Sequence, residues 1–187
     1  MNYKKVIRIG VIAFILCFGF IIYSKIVFEQ QMKCLIKERL SFQVREEKFE
    51  LEELISEIDE KDIQGIHRSE SGEGIIPYRD LKNPLIKKEF KKFHLIMIVN
   101  GQDDLENQYV DFHVYPYADL LWEGFSYGFY YSSSDEPLDV NHGGEKCESQ
   151  VKGKIGGFID YDYKTEKIAT NWWYYETTVY YPEKRRR

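Results

Sequence analysis

Cysteine and histidine, the residues from which many recognisable sites are assembled, are scarce in this 187-residue sequence: there are three of the first and four of the second. No Cys-x-x-Cys pair and no helical His-x-x-x-His occurs, so the spacings that hold zinc in small domains and metalloproteases are missing. Gly153-Lys154 runs into Ile155 without a glycine-rich stretch before it or a serine or threonine after it, which excludes a phosphate loop. Cys17 lies inside a long apolar run. That leaves Cys34 and Cys147, enough for one bridge in an oxidising compartment and too few for a disulfide framework. Positive charge is not in excess. The formal net charge is −5, which argues against non-specific nucleic-acid binding. No internal repeat is visible, and no cofactor is implied.

What is abundant is apolar and aromatic. From Val6 to Phe28 the chain reads as one apolar helix, and about 20 helical residues span the hydrocarbon of a bilayer. Its only charge from Ile9 onward is Lys25, near enough to the end to extend its ammonium to the headgroups, and Tyr23 sits where an interfacial ring belongs. A cleaved secretory signal shares the basic start, but no small-x-small site follows the run. A lipoprotein signal needs a small residue before its cysteine, and Cys17 follows Phe14, Ile15 and Leu16. A soluble domain this small has difficulty burying a helix that is apolar all round. The expectation is an uncleaved signal-anchor whose partner is lipid. Lys4, Lys5 and Arg8 favour a cytoplasmic N-terminus, and hence an extracytoplasmic domain at the cell envelope, against the blunting effect of Lys25, Lys33, Lys37 and Arg39.

The chain then divides as follows. Residues 1–5 form a short basic segment and 6–28 the anchor. Residues 29–60 carry juxtamembrane and amphipathic helices, with Leu51, Leu54, Ile55 and Ile58 on one face, although 41–48 alternates enough to be a short strand. Residues 61–82 read as a loop, and 182–187 as a basic tail. Between them, 83–181 reads as a short helix plus a sheet, forming one domain with 42–60. Asn83 is a good N-cap and Pro84 fits the first helical position. Strands are expected over 93–99, 109–117, 120–131, 149–163 and 168–181. Turns are placed at Asn100-Gly101 running on to Glu106 and at 163–167, with a polar loop over 132–147. Gly124 and Gly128 mark bulges or close packing. The fold class is α+β: a transmembrane helix, then two or three helices and an antiparallel sheet of about five strands.

Four groups of residues are candidates for chemistry. Asp111 and His113 leave the same face of one strand and His94 lies on its neighbour, so the three are candidate metal ligands, with His142, Cys147 or Glu123 to complete the set. Asp135, Asp139, Asn141 and Glu145 place hard oxygen atoms in one loop, as calcium prefers, without the spacing of an EF-hand. Trp172, Trp173, Tyr174 and Tyr175 alternate across a strand, so one pair would be exposed as a ligand or partner surface unless helices and strands cover both faces. Lys184 to Arg187 would meet anionic polymer or lipid. The segment Phe158-Ile-Asp-Tyr-Asp-Tyr-Lys-Thr165 resembles the Asp-x-Asp-x-Thr motif of haloacid-dehalogenase-type phosphatases, which would make Asp160 a nucleophile. Lys164 stands where that family has threonine, and no alternating strand–helix pattern follows. Asp160 and Asp162 read better as strand-end and turn acids.

No complete nucleophile–base or acid–base set stands out. The sequence therefore points to a single-pass membrane protein presenting a non-catalytic binding or structural domain to an envelope polymer or protein. The alternatives are a membrane-tethered metal-dependent hydrolase using His94, Asp111 and His113, and an interaction module facing the cytoplasm.

Overall fold

In the computed structural model the described residues are 3–59, 65–67, 75–77, 80–103, 105–118, 123–140, 144–155 and 159–180. The chain forms two compact units, Met1–Arg39 and Leu40–Arg187. Helix α1 (Tyr3–Glu46) makes up the first unit and enters the second, where it is followed by α2 (Lys48–Asp59) and α3 (Pro84–Lys92). In the first unit, Phe14, Ile15, Leu16, Phe18, Phe20, Ile21, Ile22 and Tyr23 are all exposed. Among the described residues α1 is the one helix long and apolar enough to cross a membrane.

The second unit is an α+β domain, as its sequence pattern indicates. Six antiparallel strands carry it: β3 (Leu95–Gln102), β4 (Gln108–Ala118), β5 (Glu123–Ser132), β8 (Gln150–Ile155), β9 (Ile159–Ala169) and β10 (Trp172–Tyr180). Their order is β3-β4-β5-β10-β9-β8. At the β3 edge, β1 (Gly65–His67) adds antiparallel and β2 (Ile75–Pro77) adds parallel to β1, so the described residues of the stretch 61–82, expected as loop, include two short strands. A separate small ladder joins β6 (Leu138–Asp139) to β7 (Glu145–Lys146) within the expected polar loop.

Helices cover one face of this sheet. The register sets Ile98, Phe112, Phe129 and Tyr174 in one row, and Phe93 meets Phe129 with ring centroids 5.0 Å apart. Phe112 and Phe129 stack at 4.8 Å, and Trp172 packs beside both. Leu40 and Val44 of α1, Leu51, Leu54, Ile55 and Ile58 of α2 and Ile86 and Phe90 of α3 are buried with them. Each such side chain contributes about 1.5–3 kcal/mol by leaving water. The capping prediction holds: Asn83 Oδ1 accepts from Leu85 N at 2.8 Å, and Pro84 opens the helix.

Several boundaries differ from the sequence expectation. Residues 41–46 are helix, not strand, because Val44 and Leu40 lie four apart on a buried helical face. Asn100 and Gly101 are inside β3, paired with Val110 and Tyr109. The turn falls later, where Asp103 Oδ1 accepts from Leu105 N at 2.9 Å and Asn107 N at 2.8 Å, and Glu106 takes φ +63°. Residues 163–167 continue β9, and the turn moves to Thr170-Asn171, with Asn171 at φ +67°.

Candidate functional site

Alternation along β4 sends Asp111 and His113 to the face opposite the helices. The cross-strand row there reads Met97, His113, Gly128, Tyr175 and Thr165, taken from β3, β4, β5, β10 and β9. Gly128 has no side chain to fill its place in that row, and the Tyr175 ring lies across the gap. A Cβ on Gly128 would come 2.7 Å from the Tyr175 hydroxyl and 2.5 Å from the Phe112 carbonyl oxygen. Lying flat in this way, Tyr175 brings its hydroxyl 2.9 Å from His113 Nδ1. Two further tyrosines repeat the device on their cross-strand glycines, Tyr109 on Gly101 and Tyr161 on Gly153.

Asp111 is buried in this layer, and its Oδ1 has no hydrogen-bond partner. Burial pushes its carboxyl up to about 7, opposed by a hydrogen bond from Tyr175. Burial and the Asp111 charge in turn hold the Tyr175 hydroxyl well above the ordinary phenol value. The Tyr175 hydroxyl therefore meets the His113 ring in the same layer that buries the Asp111 carboxyl.

Beside this trio the tyrosine layer holds down the loop after β5. Leu138 is fully buried on Tyr109, Tyr130, Tyr161, Tyr163, Trp173 and Tyr175. Its N–H donates to Tyr130 Oη at 2.9 Å, and its carbonyl accepts from Tyr163 Oη at 2.7 Å. Tyr161 Oη donates to Asp139 Oδ2 at 2.7 Å. Tyr130 also meets the Thr165 hydroxyl at 3.0 Å. Satisfying these hydroxyls is what allows so many tyrosines into an interior.

The structure brings together only part of what the sequence proposed. His94 sits in the exposed turn after α3 at φ +55°, off the strand that would have aimed it at Asp111 and His113. His142 lies outside the described residues, as does the Glu123 side chain. Among the described residues no group of three His, Cys, Asp or Glu is placed to hold a metal ion. In the candidate calcium loop, Asp135 is taken by Lys167 and Asn171 N, both at 2.6 Å, and Asp139 by Tyr161. Glu145 is exposed, and Asn141 lies outside the described residues. Asp160 and Asp162 are strand residues facing Lys154 at 2.7 Å and Lys152 at 3.4 Å. Cys34 and Cys147 are free thiols, not a bridge. Cys34 is exposed on α1, its Sγ donating to Glu38 at 3.6 Å, whereas Cys147 packs against the tyrosine cluster, where burial pushes it up to about 12. Residues 184–187 lie outside the described residues.

The aromatic run needs a correction. Trp172, Trp173, Tyr174 and Tyr175 are all buried, so neither face of β10 presents an exposed ladder here. Helices cover Trp172, whose indole approaches Glu52 at 3.5 Å, and Leu138, Val140 and Cys147 pack in one cluster with Trp173 and Tyr175. Sequence reasoning also missed Glu89, buried on α3 with Lys88 at 3.5 Å; burial raises its carboxyl, opposed by Lys92 and Lys88. Its position one residue before Phe90 on an amphipathic helix was the available signal. For the contact of Tyr175 with His113 there was none, since it depends on a register spanning three strands.

Comparison with known protein families, curated proteins and solved structures finds no match for this chain.

Proposed function

We propose that this chain is a single-pass membrane protein that holds its α+β domain outside the cytoplasm, where the domain acts by contact. The observation that carries the reading is the unbroken apolar exposure of α1 from Phe14 to Tyr23, a surface that lipid would cover. Lys4, Lys5 and Arg8 before it support a cytoplasmic N-terminus. A structural or binding role is supported by where the polar chemistry of the domain goes: Asp103, Asp135, Asp139 and Asp162 each tie down a loop or pair with a neighbouring strand.

Alkaline washing of membranes followed by protease treatment of intact cells tests this. The expected chain resists extraction and loses everything beyond Phe28 to external protease. Digestion only after lysis would make it a cytoplasm-facing interaction module, and release by alkali would remove the anchor.

A second reading is favoured by one observation, the hydroxyl of Tyr175 set 2.9 Å from His113 Nδ1 on the face where Asp111 is buried. A membrane-tethered hydrolase would use that pair as its proton-handling group. His113→Ala would then abolish hydrolysis without unfolding the domain, and unchanged hydrolysis would dismiss this reading.

A further inference from the structure

We propose that β8 is a docking edge for an extended acidic segment of another protein, which adds to the sheet as its next strand and sets carboxylates opposite Lys152 and Lys154. The inference rests on the contact role proposed above. It lies wholly within the second unit and does not depend on which side of the membrane that unit faces.

The sheet has two outer strands among the described residues, β2 and β8. β2 is three residues long and ends in Pro77, which has no N–H to offer. β8 runs for six residues and pairs only with β9. Its bonding pattern follows from one bond beside it. Thr165 N donates to Ser149 O at 2.9 Å, and the register aligns Gln150 with Lys164. Gln150 and Lys164 are therefore a non-hydrogen-bonded pair, and alternation makes Lys152–Asp162 and Lys154–Asp160 the same. The N–H and C=O groups of Gln150, Lys152 and Lys154 thus point away from β9, and among the described residues no other strand takes them. An added strand would find a donor and an acceptor at every second residue, about 7 Å apart.

Charge selects the occupant. On the face where these lysines stand, the sign alternates from strand to strand. Glu176 of β10 meets Lys164 of β9 at 3.6 Å, while Asp162 and Asp160 of β9 meet Lys152 and Lys154 of β8 at 3.4 and 2.7 Å. The next strand outward continues the alternation if it is acidic. Asp162 also accepts from Tyr180 Oη at 3.1 Å, and the Lys152 and Lys154 side chains stay 73% and 56% exposed, so both ammonium groups can take a second carboxylate. Edge lysines also repel the wrong strands. Two β8 strands paired antiparallel along their whole length would set Lys152 against Lys152, which disfavours a second copy. The formal net charge of −5 opposes an acidic partner only weakly, since charges beyond about 8 Å are screened at physiological salt. The fitting segment has acids two residues apart and an uncharged residue between them, opposite Gly153.

The test uses the full chain in detergent and a short fluorescent peptide that alternates glutamate with valine. Polarisation should show saturable binding that weakens as salt rises. A peptide of the same composition with its glutamates gathered at one end should bind about tenfold more weakly, and Lys152→Gln with Lys154→Gln should weaken the alternating peptide by a similar factor. Lys152→Pro removes an N–H that β9 does not use, so it should weaken binding well beyond Lys152→Ala and leave the near-ultraviolet dichroism of the tyrosine layer unchanged. If the proline variant loses that signal, the paired glutamine variant, altered only at exposed positions, decides alone. Equal binding of the two peptides reduces the contact to charge and overturns the added strand. No binding by a chain with intact dichroism overturns the docking edge and leaves the contact role to another surface. A dimer that Lys152→Pro breaks puts a second copy on β8 and also overturns it. Hydrolysis abolished by His113→Ala would instead remove the contact role itself.

Discussion

Asp111, His113, Tyr175 and Gly128 show how one residue's chemistry is set by three others. The folded chain holds the Asp111 proton up to about pH 7, against an ordinary value of 3.8. The unfolded chain gives it up earlier, so the stability from this group is complete below the ordinary value and lost as pH rises through about 7. Asp111→Asn should therefore flatten the pH dependence and stabilise the chain above pH 7, by no more than about 4 kcal/mol. Denaturant midpoints between pH 4 and 9 read this out, and a variant weakened equally at every pH would contradict it. Tyr175→Phe removes the hydrogen bond that opposes burial, so it should move the loss to higher pH as well as costing about 1–3 kcal/mol. Gly128→Ala meets a backbone oxygen that cannot move aside, and a loss of about 2–3 kcal/mol is expected in the same denaturation assay.

At the level of elements, the tyrosine layer and the loop it holds form one cooperative piece. Leu138→Ala should cost about 2–5 kcal/mol, and amide exchange should rise across 132–140 and 144–149 before it rises in β3 or β4. Asn83→Ala should remove about 1 kcal/mol by uncapping α3, measured the same way. These elements also mark how far the sequence could be read. The cap at Asn83-Pro84, the face of α2 and the alternation of β4 were legible because each is written within a few residues. The turn at Asn100-Gly101 was misplaced because the Tyr109 ring, opposite in the sheet, occupies the space above Gly101. Residues 163–167 have the local pattern of a turn, yet Tyr163 and Thr165 are buried in mid-strand, held by bonds to Leu138 and Tyr174. Asp111 and His113 could be placed on one face from spacing two. Their link to Tyr175 could not, since it needs the order β4-β5-β10, which no local pattern carries.

At the scale of the whole molecule, the apolar run and the soluble composition after it divide the chain much as the two units do, although α1 continues as helix into the second unit. The orientation of that second unit is the central claim, and the native thiols allow a direct measurement. Cys34 is exposed six residues past Phe28, while Cys147 is half-buried in the tyrosine cluster. A membrane-impermeant maleimide added to intact cells should modify the chain, and Cys34→Ser should remove most of that label. Labelling that appears only after the membrane is permeabilised would contradict an extracytoplasmic domain.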